Sequence, residues 1–273
     1  MIDPGLRDRV ALVGAKNPRG IGAATAKAFA SVGAKVFFHY LSGGTDASSD
    51  AASLVQAIRA AGGEAEGCQA DLRDPDSVPF LFDEVEKTFG PVEILLNNAA
   101  HAGSDTFIPR EMLRDGELSV GNLPMVPLTA KSHDDHFVAN SRATSLMMAE
   151  FARRHCQRGG SWGRIVNVST DGASAFVGQV SYGASKHAIE SFSRAAACEL
   201  GPYGITVNVV SPGAVQTGWI PPEKEKEWGA AVPLGRIGKP EDIAAAILFF
   251  CSEQASWITG QLLYVDGGDV MPL

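Results

Sequence analysis

The chain has 273 residues, of which 45% are hydrophobic and 20% are charged, the composition of an ordinary globular protein. Its formal net charge of -8 argues against a nucleic-acid partner, because binding a polyanion requires a clustered basic surface. The first residues carry acids in place of the basic and apolar segments of a signal peptide, and no apolar run reaches the length of a membrane span. A cytoplasmic protein without membrane contact is therefore expected.

Metal binding and disulfides are not expected either. The four cysteines form no CxxC pair, so we predict reduced, buried thiols at Cys68, Cys156, Cys198 and Cys251. His133 and His136 have a spacing that places two histidines on one helix face. A helix that begins with Ser132 as its N-cap and carries acids in its first turn explains that segment more simply than a metal site.

Short apolar runs alternate with alanine-rich helical stretches along the chain. This alternation is typical of parallel βαβ units whose helices cover both faces of a sheet. Right-handed crossovers between such units give a doubly wound sheet, so residues 1–273 are expected to form a single α/β domain of the Rossmann-like type. Seven strands are predicted, at Val10–Val13, Lys35–His39, Ala65–Gln69, Glu93–Asn97, Arg164–Val168, Thr206–Val210 and Leu262–Val265.

A glycine-rich turn follows the first predicted strand and leads into a helical run at Ala23–Ala30. Glycine permits a tight turn and a close approach of the backbone to a pyrophosphate, while the helix N-terminus offers free N–H groups to the anion. The turn therefore predicts a dinucleotide site at Gly14, Gly20, Ile21 and Gly22.

The end of the second strand indicates which dinucleotide is bound. Tyr40 stands where NAD-binding folds carry a carboxylate, which holds the ribose 2′-hydroxyl and repels a 2′-phosphate. Arg19 lies in the glycine loop, from which its guanidinium can meet a 2′-phosphate. We expect NADP(H) as the cofactor, with NAD(H) as the alternative.

Two stretches lack strong periodicity and are read as irregular excursions, Leu41–Asp50 and Ala102–Thr129. The second carries several Gly and Pro residues between a strand and a helix. An excursion of that length is usually functional or mobile rather than a hidden regular element.

The most informative segment contains Tyr182 and Lys186, whose spacing puts both side chains on one face of a helix. A lysine ammonium beside a phenol favours the phenolate, so the pKa of Tyr182 is expected to fall below its reference value of about 10. Tyr182 can then act as an acid or base near neutral pH. Just upstream, a predicted strand ends in two hydroxyls, Ser169 and Thr170, either of which can hydrogen-bond a substrate oxygen.

The order and spacing of these motifs resemble the short-chain dehydrogenase/reductase family over essentially the whole chain, and 3-oxoacyl-carrier-protein reductases in particular. The resemblance implies that Asp71 and Leu72 contact adenine, that Asn140 holds a water of a proton relay, and that Lys186 binds the nicotinamide ribose. It also implies cofactor contacts from two further segments, at Asn98, Ala99 and Ala100, and at Pro212, Gly213, Val215 and Thr217.

The resemblance implies an oxidoreductase that transfers a hydride between the nicotinamide and a ketone or secondary alcohol. It suggests a homotetramer or homodimer packed through the Asn140–Arg153 and Tyr182–Leu200 helices. A catalytically silent NADP(H)-binding regulator, a structural oligomer subunit and an NAD-dependent alcohol dehydrogenase of the same family stay open as alternatives.

Two departures from the family pattern matter. The glycine loop is two residues longer than the family's, as also occurs in related enoyl reductases, although those space tyrosine and lysine more widely. Counting back from Tyr182 selects Ser169 as the catalytic hydroxyl, whereas strand register selects Thr170, which we prefer because a loop deletion costs less than a register slip.

The substrate pocket is expected between Ala173–Gln179 and Gly218–Trp228, with a contribution from Ala102–Thr129. Its apolar side chains indicate either a substrate mouth or subunit packing. The charged run Pro221–Trp228 reads as a solvated helix, which the family uses as part of a mobile substrate lid. The apolar residues concerned are Phe176, Val177, Trp219, Ile220 and Trp228.

Overall fold

A computed structural model describes residues 3–15, 19–41, 47–113, 119–120 and 123–270. In chain order the strands are β1 (Val10–Gly14), β2 (Lys35–Tyr40), β3 (Glu64–Gln69), β4 (Ile94–Asn97), β5 (Ser104–Thr106), β6 (Ser119–Val120), β7 (Leu123–Pro127), β8 (Gly163–Val168), β9 (Ile205–Pro212) and β10 (Leu262–Val265). The helices are α1 (Ile21–Ser31), α2 (Ala47–Ala60), α3 (Ser77–Phe89), α4 (Ala130–Phe137), α5 (Ala143–Gln157), α6 (Val180–Leu200), α7 (Pro222–Ala231) and α8 (Pro240–Cys251).

The seven predicted strands form one parallel sheet in the order β10-β9-β8-β4-β1-β2-β3. Starting at β1 the chain adds β2 and β3 on one side, then returns to place β4 on the other side of β1. The carboxyl ends of β1 and β4 therefore flank the point where the direction of winding reverses, the usual ligand crevice of such sheets. The Rossmann-like prediction is confirmed.

Apolar side chains cover both faces of the sheet, as buried parallel strands require. On one face α1 and α8 pack through Phe29 and Ile247 against Val13 and Phe38. On the other face α3 and α5 contribute Phe82, Phe151 and their neighbours to a second apolar cluster around Leu12 and Leu95. Two rigid layers thus hold the carboxyl edge of the sheet, where the loops that carry polar residues gather.

The prediction for Ala102–Thr129 is wrong, because the stretch holds regular structure. β5 pairs in parallel with β7, and β6 pairs antiparallel with β7, giving a small three-stranded sheet. These strands are only two to five residues long and have no periodic apolar pattern, so long-range pairing rather than local propensity defines them. Residues 114–118 and 121–122 lie outside the described residues.

The first excursion is shorter than predicted, because α2 begins at Ala47 and takes up the residues to Asp50. Residues 42–46 of this excursion lie outside the described residues.

Helix α4 begins earlier than predicted. Thr129 is its N-cap and accepts a hydrogen bond from the Ser132 backbone N–H, while the Ser132 hydroxyl accepts one in return from the Thr129 N–H. Ser132 is therefore the third helical residue of a capping box rather than the cap itself. A π-helical turn, Val138–Arg142, separates α4 from α5 and contains Asn140.

None of the helices that the structure describes is both long and apolar enough to cross a bilayer. The cysteines are free thiols, but the prediction that all are buried is wrong. Cys251 is buried and Cys68 half-buried, whereas Cys156 and Cys198 lie on exposed helix faces.

Candidate active site

The glycine loop lies at the carboxyl end of β1, directly before α1. A Cβ atom on Gly22 would lie 2.2 Å from the Gly14 carbonyl oxygen and 2.8 Å from the Asn98 Nδ2 atom. Asn98 Nδ2 donates a 2.6 Å hydrogen bond to that same carbonyl, which joins β1 to the segment after β4. The close approach therefore requires glycine at position 22 and leaves the first turn of α1, which starts at Ile21 after Gly20, facing the crevice.

A cavity of about 370 Å³ opens beside this loop. It brings together five of the predicted cofactor residues, from β2, β3 and β4. Its walls fit an adenosine group, because they combine apolar side chains with one carboxylate and backbone polar groups. The five residues are Tyr40, Asp71, Leu72, Ala99 and Ala100.

Asp71 is paired with Arg73, a contact that was not predicted from the sequence. Arg73 Nε donates to both oxygens of Asp71, at 2.9 Å to Oδ1 and 3.0 Å to Oδ2. Arg73 Nη2 donates to Oδ2 at 2.7 Å. The Arg73 side chain holds the pKa of Asp71 below its ordinary value, through these bonds and its charge. Arg73 also lines the cavity and is the only arginine or lysine among the described residues that do so.

Arg19 lies in the glycine loop, directly before Gly20. Its Nη2 atom is 3.4 Å from the position that a Cβ on Gly218 would take, so the guanidinium lies against the segment after β9. The described lining of the adenosine-sized cavity does not include Arg19. Residues 16–18 of the glycine loop lie outside the described residues, and the contact of Arg19 with a 2′-phosphate stays a prediction.

Tyr182 and Lys186 lie on α6 as predicted, one turn apart. Lys186 is buried, with 2% of its surface exposed, and its Nζ atom donates a 2.8 Å hydrogen bond to the Val168 carbonyl at the end of β8. The same Nζ atom is 5.8 Å from the centre of the Tyr182 ring. Helix α6 thus presents a phenol and an amine together at the carboxyl edge of the sheet.

The expected fall in the pKa of Tyr182 is not what this structure gives. Burial, and to a smaller extent the nearby Asp171 carboxylate, raise the pKa of Tyr182 to about 12. Burial also lowers the pKa of Lys186 to about 8, because the ammonium has lost water and gained one carbonyl. Desolvation outweighs the attraction between the two groups in the protein alone.

The two candidate hydroxyls have different surroundings. Ser169 Oγ donates a 2.6 Å hydrogen bond to Oε1 of Glu190, a buried residue of α6. Thr170 lies next in the chain, and its Oγ1 atom donates to Asp171 Oδ1 at 3.3 Å, the one side-chain hydrogen bond it makes to a described residue. Burial raises the pKa of Asp171 to about 6, with Asp266 and Asp269 among the smaller causes. The strand therefore turns Ser169 into the interior and leaves Thr170 at its end.

Asn140 is fully buried in the π-helical turn. Its Oδ1 atom accepts from the His101 backbone N–H at 2.8 Å, and its Nδ2 atom donates to the His101 carbonyl at 3.0 Å and to Ser185 Oγ at 2.9 Å. Ser185 in turn donates to the Tyr182 carbonyl at 2.8 Å. The amide thus ties the segment after β4 to the helix that carries Tyr182.

Aromatic rings flank Tyr182 on two sides. The Phe176 ring centre is 5.9 Å away and the His136 ring centre 6.3 Å away, both in edge-on geometry. Among the other predicted pocket residues, Val177 is 89% exposed, whereas Ile220 is buried and therefore does not form a mouth. Trp219 and Trp228 pack against each other at 5.5 Å, and Trp228 lies on the predicted charged helix α7.

Comparison with known proteins agrees with this geometry. A family model described as enoyl-(acyl carrier protein) reductase matches residues 14–269. The chain belongs to the short-chain dehydrogenase/reductase family. It is 34% identical over 267 residues to an uncharacterized oxidoreductase, YjdA, of Bacillus subtilis, covering 96% of this chain and 97% of the relative. It is 32% identical over 267 residues to the 3-oxoacyl-[acyl-carrier-protein] reductase FabG of Aquifex aeolicus, covering 96% and 98%.

Further relatives have varied names. Versicolorin reductase stcU of Emericella nidulans is 35% identical over 280 residues, with 96% of each chain covered. A crystal structure of a dehydrogenase/reductase from Sinorhizobium meliloti superposes with a TM-score of 0.82 at 29% identity, covering 98% of both chains. As a short-chain dehydrogenase/reductase, the protein is an oxidoreductase that acts on carbonyl or alcohol groups with a nicotinamide cofactor.

The segment expected to contact nicotinamide consists of the last residue of β9 and the five residues after it. Gly213 packs against Asp266, with only 2.8 Å between the Asp266 Cβ and a Cβ built on the glycine. Val215 forms an isolated bridge with Gly238, and the Thr217 N–H donates to the Val215 carbonyl at 2.9 Å. These contacts hold Pro212–Thr217 beside the end of β8, where Thr170 lies.

No group of three or more metal-binding side chains comes together within the described ranges. The two histidines considered for a metal are engaged elsewhere, since His133 Nδ1 contacts Asp134 and His136 Nδ1 lies 2.6 Å from the Ser132 carbonyl oxygen.

Five further side chains of the site were not predicted from the sequence. Most of them reach it through contacts with residues far along the chain, and such contacts leave no spacing signal. Arg73 and Asp171 had a local signal, because Arg73 follows Asp71 by two residues and Asp171 directly follows Thr170. The five side chains are those of Asp105, His101, His136, Asp171 and Glu190.

Proposed function

We propose that the protein is an NADP(H)-dependent carbonyl reductase, or the equivalent secondary-alcohol dehydrogenase. The observation that carries this proposal is the pairing on α6 of Tyr182 with a buried Lys186, beside the end of β8 and next to an adenosine-sized cavity. The bound nicotinamide supplies or accepts the hydride. The chain itself supplies proton transfer, orientation and exclusion of water.

Tyr182 is proposed to exchange a proton with the substrate oxygen. Its raised pKa means that the phenol is fully protonated near neutral pH, as a donor to a carbonyl oxygen must be. The Lys186 Nζ atom lies 5.8 Å from the centre of the Tyr182 ring, so its positive charge stabilises the phenolate that forms as the proton leaves. Asn140, bonded to both Ser185 and His101, is proposed to help resupply the proton as the family resemblance implies.

Thr170 is proposed as the hydroxyl that orients the substrate oxygen. Ser169 already donates its proton to Glu190, a buried acceptor that would lose its partner if the serine turned outward. The hydrogen bond from Thr170 to Asp171 is weaker, since it is long at 3.3 Å, so this hydroxyl can turn to a substrate at lower cost. Two neighbouring hydroxyls at the end of one strand therefore take different roles.

NADP(H) is proposed over NAD(H) because the described cavity carries Tyr40 at the end of β2 in place of a carboxylate. Arg73 adds a cation to the same cavity, although its guanidinium is bound to Asp71. Arg19 is proposed to contact the cofactor from the other side, near Gly218.

The substrate is proposed to be a ketone, with a 3-oxoacyl thioester as the first candidate from the similarity to FabG of Aquifex aeolicus. The exposed Val177 and the edge-on Phe176 give the approach to Tyr182 an apolar character that suits either an acyl chain or a ring. We further propose a cytoplasmic homotetramer or homodimer that packs through α5 and α6, where Phe192 is 44% exposed. Size-exclusion chromatography with light scattering tests the oligomer.

A panel of carbonyl compounds with both cofactors tests the proposed function. Acetoacetyl-coenzyme A, an aliphatic ketone, an aromatic ketone and an enoyl thioester are each offered with NADPH and NADH, and loss of the reduced nicotinamide is followed. We expect turnover of at least one ketone with NADPH. A preference of about tenfold or more for NADH would overturn the cofactor assignment. Turnover of the enoyl thioester alone would replace carbonyl reduction by C=C reduction, and binding of NADPH without any turnover would favour a silent regulator.

A further inference from the structure

We infer that the small sheet of β5, β6 and β7 is a positioning element for the catalytic helix α6, and that Asp105 on β5 is its positioning residue. Asp105 lies on β5 and is fully buried. Its Oδ1 atom accepts a 2.8 Å hydrogen bond from the backbone N–H of Ser181, the residue directly before Tyr182. The inference concerns a contact 76 residues apart in the chain, made at the first turn of α6.

The first turn of α6 needs such an acceptor. The first N–H groups of a helix have no partner within the helix, and a cap residue usually satisfies one of them. Gln179 is the N-cap of α6, but its side chain makes no capping hydrogen bond. The Asp105 carboxylate therefore replaces the missing local cap, in the place where a negative group is also favoured by the helix dipole.

A second contact links the residue directly before β5 to Tyr182 through the His136 ring. Gly103 packs so closely on the His136 ring that an added Cβ would lie 3.3 Å from its Cε1 and Nε2 atoms. The His136 ring is edge-on to the Tyr182 ring at 6.3 Å and is itself 98% buried, with 2% exposed. Asp105 thus contacts the backbone before Tyr182, and Gly103 contacts the His136 ring beside it.

β5 is held in turn by β7, which pairs Asp105 with Val126 in parallel register. The Thr106 carbonyl also accepts from the Leu128 N–H at 2.8 Å, just before α4 begins. A shift of the small sheet therefore moves the carboxylate that holds the start of α6. Because misplacing a catalytic group by an ångström costs much of its effect, the proton donor is expected to depend on this sheet.

Two substitutions at Asp105 and one matched control test the inference. Only the measurements of turnover and of its pH profile rest on the proposed function. Asp105→Ala removes the acceptor, Asp105→Asn keeps an amide oxygen in its place, and Ser104→Ala alters the adjacent buried strand residue whose hydroxyl has no hydrogen-bond partner in the described structure. Turnover number, NADPH dissociation constant, pH profile and amide hydrogen exchange across residues 178–186 are measured for each.

We expect Asp105→Ala to lower the turnover number about tenfold while the NADPH dissociation constant stays within about twofold. We expect the limb of the pH profile that reports Tyr182 to move, and the first turn of α6 to exchange its amide hydrogens faster. Asp105→Asn should recover most of the turnover and of the exchange protection, and Ser104→Ala should match the wild type in both.

The inference is overturned if Asp105→Ala loses activity only in proportion to its unfolded fraction, with the pH profile and the exchange of α6 unchanged. If Asp105→Ala does not fold, Gly103→Ala takes its place, because its new methyl group presses on the His136 ring. A turnover number and pH profile of Gly103→Ala identical to those of Ser104→Ala would then overturn the inference equally. Hydrogen exchange does not require turnover. If the wild type reduced no carbonyl compound but Asp105→Ala still exchanged the first turn of α6 faster, the proposed function would fail and the positioning role of Asp105 would stand.

Discussion

Helices α1 and α6 both begin at the carboxyl edge of the sheet, but their first turns are completed in different ways. At α1 the cap is Gly20, which has no side chain, and the turn faces the crevice between β1 and β4. At α6 the buried Asp105 carboxylate accepts from the first turn. The first helix start is thereby left for an anion from a ligand, whereas the second is satisfied by the protein and used to hold a side chain.

The difference shows how one local feature serves two purposes. An open helix start binds, and it needs only glycine and backbone around it. A closed helix start positions, and it needs a partner from elsewhere in the chain. Substitutions on the α1 side should therefore change cofactor affinity, and those on the α6 side should change turnover.

Tyr182→Phe is expected to have the largest effect. Removing the phenol hydroxyl should lower the turnover number about 100-fold or more, because a positioned general acid contributes that much. The NADPH dissociation constant, measured by fluorescence titration, should stay within about twofold. Tyr203→Phe, at a half-exposed tyrosine beyond the end of α6, is the control and should match the wild type. A loss smaller than about tenfold in Tyr182→Phe would refute the proton-donor role.

Gly22→Ala is expected to act on the open helix start. The new methyl group would meet the Gly14 carbonyl and Asn98 at distances no carbon tolerates, so the loop must move. We expect the NADPH dissociation constant to rise about tenfold or more. Gly201→Ala places a methyl group where no atom lies within 4 Å and should leave binding unchanged. Equal affinities for the two variants in a titration would contradict the placement of the pyrophosphate at this loop.

Removing the two hydroxyls at the end of β8 one at a time should affect different properties, the turnover number in one variant and the stability in the other. Thr170→Ala is expected to lower the turnover number between about tenfold and about 100-fold, because it removes a donor to the substrate oxygen. Ser169→Ala should instead lower the free energy of unfolding by about 1 to 3 kcal/mol, since the buried Glu190 loses its donor. Steady-state kinetics and denaturant unfolding of both variants decide between them. The reverse pattern would make Ser169 the catalytic hydroxyl.

Asp171→Asn should give the smallest effect, seen in the pH dependence of stability. Because burial raises the pKa of Asp171 to about 6, the folded protein binds more protons than the unfolded chain between about pH 4 and pH 6. This carboxyl therefore makes the free energy of unfolding fall as pH rises through that window. The asparagine variant should gain about 1 to 2 kcal/mol over the wild type between pH 4 and pH 7, measured by denaturant unfolding at each pH. If the difference in free energy of unfolding between Asp171→Asn and the wild type did not change across this pH window, the carboxyl would not be desolvated.

How much the sequence predicted follows the same division between local and distant contacts. The strands of the large sheet and the glycine loop were predicted because apolar runs and glycines are set by neighbours along the chain. Tyr182 and Lys186 were found together because helical spacing places them so. Each of these features is decided within a few residues.

The errors come from contacts between distant residues. The strands β5, β6 and β7 exist through mutual pairing, and Asp105 meets Ser181 only in the folded chain. The pKa of Tyr182 was predicted from its neighbour Lys186, but burial by the whole fold dominates and raises it. The approach of Arg19 to Gly218 is likewise a contact between distant residues that no spacing along the chain indicates.

Transfer of deuterium tests the central claim most directly. The protein is given NADPH deuterated at nicotinamide C4, on each face in turn, with a ketone that it turns over, and the alcohol is examined by mass spectrometry. We predict deuterium at the carbinol carbon from one face only, and almost none formed by Tyr182→Phe in the same time. Deuterium that never reaches the carbinol carbon, or that reaches it as fast in Tyr182→Phe, would contradict hydride transfer assisted by this tyrosine.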